Sequence, residues 1–353
     1  MEVLITTALF LSAGLFMGWS LGANDAANIF GTAVGTRMIR FSTAAIICSI
    51  FIIIGTVAGG TGTSDTLGEL GSINAIAGAF AVSASAALTV MMMTKRGLPV
   101  STSQAIVGAI IGWNVFARLA TDANVVVKIA QTWIYTPILA AIFAVAIYWI
   151  VRFIIEHRKI NVIKMDKYTR YGLVIAGAFG AYSLGANNIA NVMGVFVEVS
   201  PFTDIAITSN ITFTGIQQLF LLGGIAIAVG VYTYSKRVMM TVGNSIFKLS
   251  PISAFIVVLS SSLVLFVFSS EGLYNFLTSI NLPAFPLVPV SQSQAVVGAI
   301  MGVGIAKGGR NIDLKKLQGI ASGWVLTPII SLIISFIALN VLQNVFLLEV
   351  VSS

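Results

Sequence analysis

A carboxylate and a set of carboxamides lie inside an apolar run near the start of this chain. Gly22-Ala23-Asn24-Asp25-Ala26-Ala27-Asn28 is embedded in the segment from Val3 to Val34. The stretch from Ser20 to Asn28 returns as Ser183-Leu184-Gly185-Ala186-Asn187-Asn188-Ile189-Ala190-Asn191, at an offset of 163. An ionised carboxylate at membrane depth costs about 3 kcal/mol or more, so an acid there reads as a functional site. A plainer reading has the asparagines bonding helices together; it serves for one asparagine, less well for a duplicated cluster that carries Asp25. Asn24, Asp25, Asn28, Asn187, Asn188 and Asn191 offer oxygen ligands, and main-chain carbonyls are expected to be freed where Gly-Ala-Asn interrupts its helix. Oxygen donors suit hard cations. Sodium is the expected ion, because one carboxylate gives little charge to hold a dication, and a single cysteine and a single histidine make no transition-metal cluster.

A second duplication sets Pro99-Val100-Ser101-Thr102-Ser103-Gln104 against Pro289-Val290-Ser291-Gln292-Ser293-Gln294, at an offset of 190. Each copy reads as a helix start, with proline before or in the first turn, serine or threonine as cap, and an apolar run behind. A helix start at membrane depth presents free N–H groups and the positive dipole end, which favours an anion. Ser101, Thr102, Ser103, Ser291 and Ser293 add hydroxyl donors. Simple capping is the alternative, weakened by two copies converging from opposite halves. A third echo, Trp133 to Pro137 against Trp324 to Pro328, keeps an offset of 191.

These motifs sit on elements built for a bilayer. The chain has 353 residues, 57% hydrophobic and only 9% charged, with a mean hydropathy of +0.99. Soluble domains do not look like this, so a polytopic all-α membrane protein is expected. Apolar runs cover about 3–36, 41–59, 73–93, 98–117, 131–151, 171–195, 205–235, 250–269, 287–305 and 318–346, which gives ten expected crossings. The acid in Met1-Glu2-Val3 argues against a signal peptide and for a retained first span. Cys48 is the only cysteine, expected to be a packing residue, and His157 falls in a basic linker as a surface residue.

With the N-terminus outside, only Arg118 and Lys128 of the 19 basic residues fall outside, which orients the chain with both termini outside and its basic loops cytoplasmic. The net charge of +7 therefore reports topology rather than a nucleic-acid partner. Five crossings precede the linker, so the second half starts from the opposite side. Two inverted-topology repeats with broken helices or helical hairpins meeting at the membrane midplane are expected. The first repeat spans 1–151, the basic linker 152–170 and the second repeat 171–353. About 27 extra residues of the second half are expected around Lys236 to Pro251, either as an amphipathic surface helix or as an anchored loop.

No Lys or Arg is expected inside a span. An anion would then be held by N–H and hydroxyl donors together with bound cations, each ion lowering the other's desolvation cost, so symport follows. An anion channel shares these features but would not accumulate its ion uphill. An intramembrane enzyme is disfavoured by the lack of a histidine metal motif and of a second acid to pair with Asp25.

The chain resembles the inorganic phosphate transporter family of sodium- or proton-coupled phosphate symporters. The likeness rests on Gly22 to Gly35, the weaker copy at Gly185 to Gly194, both Pro-Val-Ser stretches, and Thr241-Val242-Gly243 ahead of Pro251. It implies an inverted-repeat fold, alternating access, homodimers, and phosphate held between the two serine-bearing helix starts; the short loops point to a plasma (inner) membrane. Ser101, Thr102, Ser103, Gln104, Ser291, Gln292, Ser293 and Gln294, with Asp25 and Asn188, are then the expected phosphate residues. Sodium, at Asn24, Asp25, Asn28, Asn187, Asn188 and Asn191, is carried with the substrate and no other cofactor is implied. Asn188 stands where the family usually has aspartate, and Ile52 where several members have glutamate. Both losses favour sodium over a proton relay and leave room for sulfate, whose carriers resemble this family too.

Overall fold

The computed structural model describes residues 2–95, 100–158, 161–208, 211–236, 238–239, 249–309 and 314–352. Apolar composition makes almost all of this helical, because only internally bonded backbone is tolerated in lipid. In the first half the helices are α1 (Glu2–Gly35), α2 (Phe41–Gly59), α3 (Thr61–Leu70), α4 (Ile76–Lys95), α5 (Thr102–Ala117) and α6 (Ala123–Arg158). In the second half come α7 (Val162–Met193), a hairpin of β1 (Ile205–Thr208) and β2 (Ile211–Phe213), then α8 (Gly215–Thr233), α9 (Pro251–Val267), α10 (Glu271–Ser279), α11 (Gln292–Ala306) and α12 (Leu314–Asn344).

Among the described residues, seven helices are long and apolar enough to cross a membrane, and α9 with α10, bent by 66°, makes an eighth. Of the ten apolar runs expected to cross, those of α5 and α11 fall short of that length. α5 and α11 have 16 and 15 residues, about 24 Å and 22 Å of helix, short of the roughly 30 Å hydrocarbon core. Each is preceded by extended chain and starts at a buried serine, Ser101 or Ser291. The run expected as one span over 205–235 is divided: its first part is the antiparallel hairpin, Ile205 pairing with Phe213, and only α8 is long enough to cross. The basic linker is largely helix, since α6 continues to Arg158 and α7 begins at Val162; His157 is exposed there and Cys48 is buried in α2, as expected.

A second correction concerns the duplicated Gly-Ala-Asn motif. It does not interrupt its helix: α1 runs unbroken through Asn24 to Asn28, and α7 through Asn187 to Asn191. The motif's own carbonyls stay in helical hydrogen bonds, and its polar side chains turn sideways onto neighbouring chain. The breaks fall before α5 and α11.

The two halves interlock by exchange. A β-carbon built on Gly22 of α1 would lie 2.0 Å from the carbonyl oxygen of Ile227 on α8. Its counterpart on Gly185 of α7 would lie 2.3 Å from that of Ile52 on α2. Gly230 meets the Trp19 carbonyl and Gly55 the Tyr182 carbonyl in the same manner. Likewise α5 packs Gly108 against the Pro328 carbonyl of α12, and α11 packs Gly298 against the Pro137 carbonyl of α6. Small residues let membrane helices approach to backbone contact, which substitutes for a hydrophobic drive that lipid does not supply.

The matched contacts also bear on how the second half is spaced. The offset is 163 between α1 and α7, and 175 between Ile52 and Ile227 and between the starts of α4 and α9. It is 190 between the starts of α5 and α11. The offset thus rises by 12 across the β-hairpin region and by 15 across α10. The expected surface helix over Lys236 to Lys248 lies mostly outside the described residues, as do Pro99 and Thr241-Val242-Gly243.

Candidate functional site

Every residue expected at the site is at most 3% exposed, so the site is sealed from both surfaces in this conformation. Its frame is the C-terminal third of α1 and the last two turns of α7, which present their asparagines to the two extended stretches. Asn24 donates from Nδ2 to the carbonyl oxygen of Val100 at 3.1 Å. Asn187 donates from Nδ2 to the carbonyl of Val288 at 3.1 Å, and its Oδ1 accepts from the Val290 N–H at 2.7 Å. Extended backbone at membrane depth has donors and acceptors that no helix satisfies. The two asparagines supply what the neighbouring turn of helix would have supplied.

The helix starts are capped as expected. Ser101 Oγ accepts from the Gln104 N–H at 3.2 Å and Ser291 Oγ from the Gln294 N–H at 3.3 Å. These first serines are therefore engaged in capping. Ser293 and Ser291 share a hydroxyl contact of 3.0 Å. The other hydroxyls reach across. Thr102 donates to Asp25 Oδ2 at 2.5 Å, and Asn24 donates to Asp25 Oδ1 at 3.1 Å. Two neutral donors hold this carboxylate, and the three ion pairs among the described residues all lie elsewhere.

Ser103 joins the halves. Its hydroxyl lies 3.4 Å from Asn188 Oδ1 and 3.2 Å from the Val290 carbonyl, and it accepts from Asn191 Nδ2 at 2.9 Å. Asn191 also donates to Asn188 Oδ1 at 2.8 Å, and Asn188 donates to Asn187 Oδ1 at 3.3 Å. The structure thus brings together Asn24, Asp25 and Thr102 on one side, and Ser103, Asn187, Asn188 and Asn191 on the other. Asn28 keeps a buried Nδ2 without a partner. So do Asn191 Oδ1 and the Oε1 atoms of Gln104, Gln292 and Gln294.

The arrangement is a buried cluster of hydroxyls and amides with one carboxylate, set between two helix starts. Its oxygens suit a hard cation and its N–H and O–H groups an oxyanion. Sequence reasoning missed the main-chain groups of Val100, Val288 and Val290, because a backbone partner leaves no residue-type signal. The Pro-Val-Ser motif did mark where the chain would be extended.

A family model described as the phosphate transporter family matches residues 21–335 and 283–351. A protein classed as a phosphate permease in Methanocaldococcus jannaschii is 32% identical over 338 residues, covering 95% of this chain and 97% of the relative. A sulfate permease of Bacillus subtilis is 28% identical over 342 residues, covering 92% of this chain and 85% of the relative. A solved structure titled the sodium-dependent phosphate transporter superposes with a TM-score of 0.74 over 98% of this chain and all of that one, at 23% identity, and bears on the fold. With its fold, its buried polar core and both duplicated motifs accounted for, this multi-pass membrane chain belongs to the phosphate transporter family.

Proposed function

We propose that the chain is a symporter that carries inorganic phosphate into the cell with sodium, by alternating access between two inverted repeats. The observation that carries this reading is the junction at Asp25 and Ser103. Two helix starts from opposite halves meet a buried carboxylate and a set of amide oxygens, with no fixed cation among the described residues to neutralise an anion. In such a place a phosphate needs bound sodium, and sodium gains from the phosphate, which is a physical basis for coupling. Ser101, Thr102, Ser103, Gln104, Ser291, Gln292, Ser293 and Gln294, with Asp25, Asn188 and the N–H groups of the two helix starts, would face the phosphate. Asn24, Asp25, Asn28, Asn187, Asn188 and Asn191 would hold sodium. The exchange packing of α1 on α8 and α7 on α2 supports a rocking motion of paired elements about this point. We further propose an inner-membrane location with both termini outside, and a homodimer.

Sulfate transport is the second reading, favoured by the sulfate permease relative and by Asn188, which leaves the site one carboxylate poorer. Radiolabelled phosphate uptake into proteoliposomes tests both, using an inward sodium gradient or an equal potassium gradient at matched pH, with excess sulfate as competitor. Uphill uptake that needs sodium and ignores sulfate is the expected result. Uptake that follows the proton gradient, or that sulfate abolishes, would overturn it in favour of another ion or substrate.

A further inference from the structure

Trp133 on α6 and Trp324 on α12 each head a Trp-x-x-Thr-Pro stretch. The exposure pattern of α6 from Gln131 to Ala140 is reproduced on α12 from Ser322 to Ser331, position for position. In both, the ring is half-buried while its Nε1 is sealed from solvent and meets no acceptor. A buried indole N–H is a donor only and normally finds a partner. Two orphans at equivalent positions need a reason.

The packing register names their partners. α11 lies along α6 with Gly298 against Pro137 and Gly302 against Ala141. One turn earlier on both helices come Gln294 and Trp133. α5 lies along α12 with Gly108 against Pro328 and Gly112 against Leu332. One turn earlier come Gln104 and Trp324. Both helices of each pair advance four residues between contacts, in the same direction, so the step back keeps register. Gln294 and Gln104 each hold a buried Oε1 with no donor. Each of these two helix pairs, one member from each half, therefore holds an unpartnered N–H and an unpartnered amide oxygen at one level, beside the first turn of a helix that starts at the site.

We propose that Trp133 and Trp324 are positioning residues for the anion. On loading, the Trp133 indole N–H donates to Gln294 Oε1, and that of Trp324 to Gln104 Oε1, which turns each carboxamide Nε2 toward the anion. A carboxamide has an acceptor end and a donor end. Free to rotate, it presents its oxygen and repels an oxyanion; tied at the oxygen, it presents only its NH₂. This inference rests on the anion-site reading above and deepens it.

Trp133→Phe and Trp324→Phe keep an aromatic ring and delete the donor. In proteoliposomes each is expected to raise the KM for inorganic phosphate about three- to tenfold, the scale of one hydrogen bond. The maximal rate and the half-saturating sodium concentration should change little, whereas a merely structural role would move all of them. The deciding arm combines substitutions. Trp133→Phe should add nothing in a Gln294→Met background, yet still raise KM in a Gln104→Met background. An unchanged KM in the single variant, or the same increase in every background, overturns the proposal. Should the Phe variants not fold, ultraviolet resonance Raman spectra of the unsubstituted protein report indole hydrogen bonding directly. Added phosphate should shift the indole signal toward stronger bonding, and Gln104→Met with Gln294→Met should remove that shift; no shift overturns the proposal. A parent chain that takes up neither phosphate nor sulfate sinks the anion-site reading and this proposal with it. Normal parental uptake with unaffected variants sinks this proposal alone.

Discussion

Asn24 satisfies the extended backbone at Val100: its side-chain NH₂ donates to the carbonyl that the approach to α5 leaves without a helical partner. Asn187 serves its own break twice, at Val288 and Val290. The same residue type at matched positions thus carries unequal loads. Each buried backbone group left unpartnered costs about 1–3 kcal/mol. Asn187→Ala is therefore expected to lower the thermal midpoint of the detergent-solubilised protein more than Asn24→Ala does. Equal shifts would contradict the count of orphaned groups.

Among the described residues, Asp25 is held by Thr102 and Asn24. If it is the charged sodium ligand, Asp25→Asn keeps the shape and removes the charge. Sodium-dependent uptake should fall by about a hundredfold, the scale of losing one partner from a buried charged pair. The protein should still be recovered folded.

Asn188 Oδ1 already accepts from Asn191 at 2.8 Å and faces the Ser103 hydroxyl at 3.4 Å. A carboxylate at this position would find both donors in place. Asn188→Asp should therefore fold and lower the half-saturating sodium concentration for uptake. A rise in that concentration would remove Asn188 from the cation-ligand set.

A β-carbon on Gly108 would stand 2.1 Å from the Pro328 carbonyl oxygen, and one on Gly298 would stand 2.2 Å from that of Pro137. Neither carbonyl can yield without moving a helix. Gly108→Ala and Gly298→Ala are each expected to cost about 1–3 kcal/mol or more. Gly319, also helical, has nothing within 4 Å of such a carbon. Gly319→Ala should be neutral or stabilising by about 0.5–1 kcal/mol, and thermal midpoints of the three variants give the comparison.

Asp65 lies on α3, outside the long apolar helices. Partial burial holds its carboxyl above the ordinary value of 3.8, and the like charges of Glu271 and Glu69 add to the rise. The fold therefore favours the protonated form. Stability from this residue is present in acid and lost as pH climbs through the raised value. Asp65→Asn should raise the thermal midpoint at pH 7, and the gain should shrink toward pH 4. Because the side chain is largely exposed, salt should weaken the effect.

Much of this was legible in residue types. An acid and repeated asparagines in apolar surroundings had to be protected by protein, and Pro-Val-Ser before an apolar run had to start a helix. The offsets of 163, 190 and 191 paired the elements before any contact was known. Only the tertiary structure decided where the backbone breaks. Hydropathy averages over side chains and does not register which main-chain groups find partners, so α5 and α11 read as full crossings and the motif helices as broken ones. A helix stays whole when its polar side chains find partners across space, and Asn24 and Asn187 find theirs 76 and 101 residues further along the chain. Nothing local to Gly-Ala-Asn specifies those partners. They exist because glycine-scale packing brings α1 against α8 and α7 against α2, and with them the two helix starts to one point.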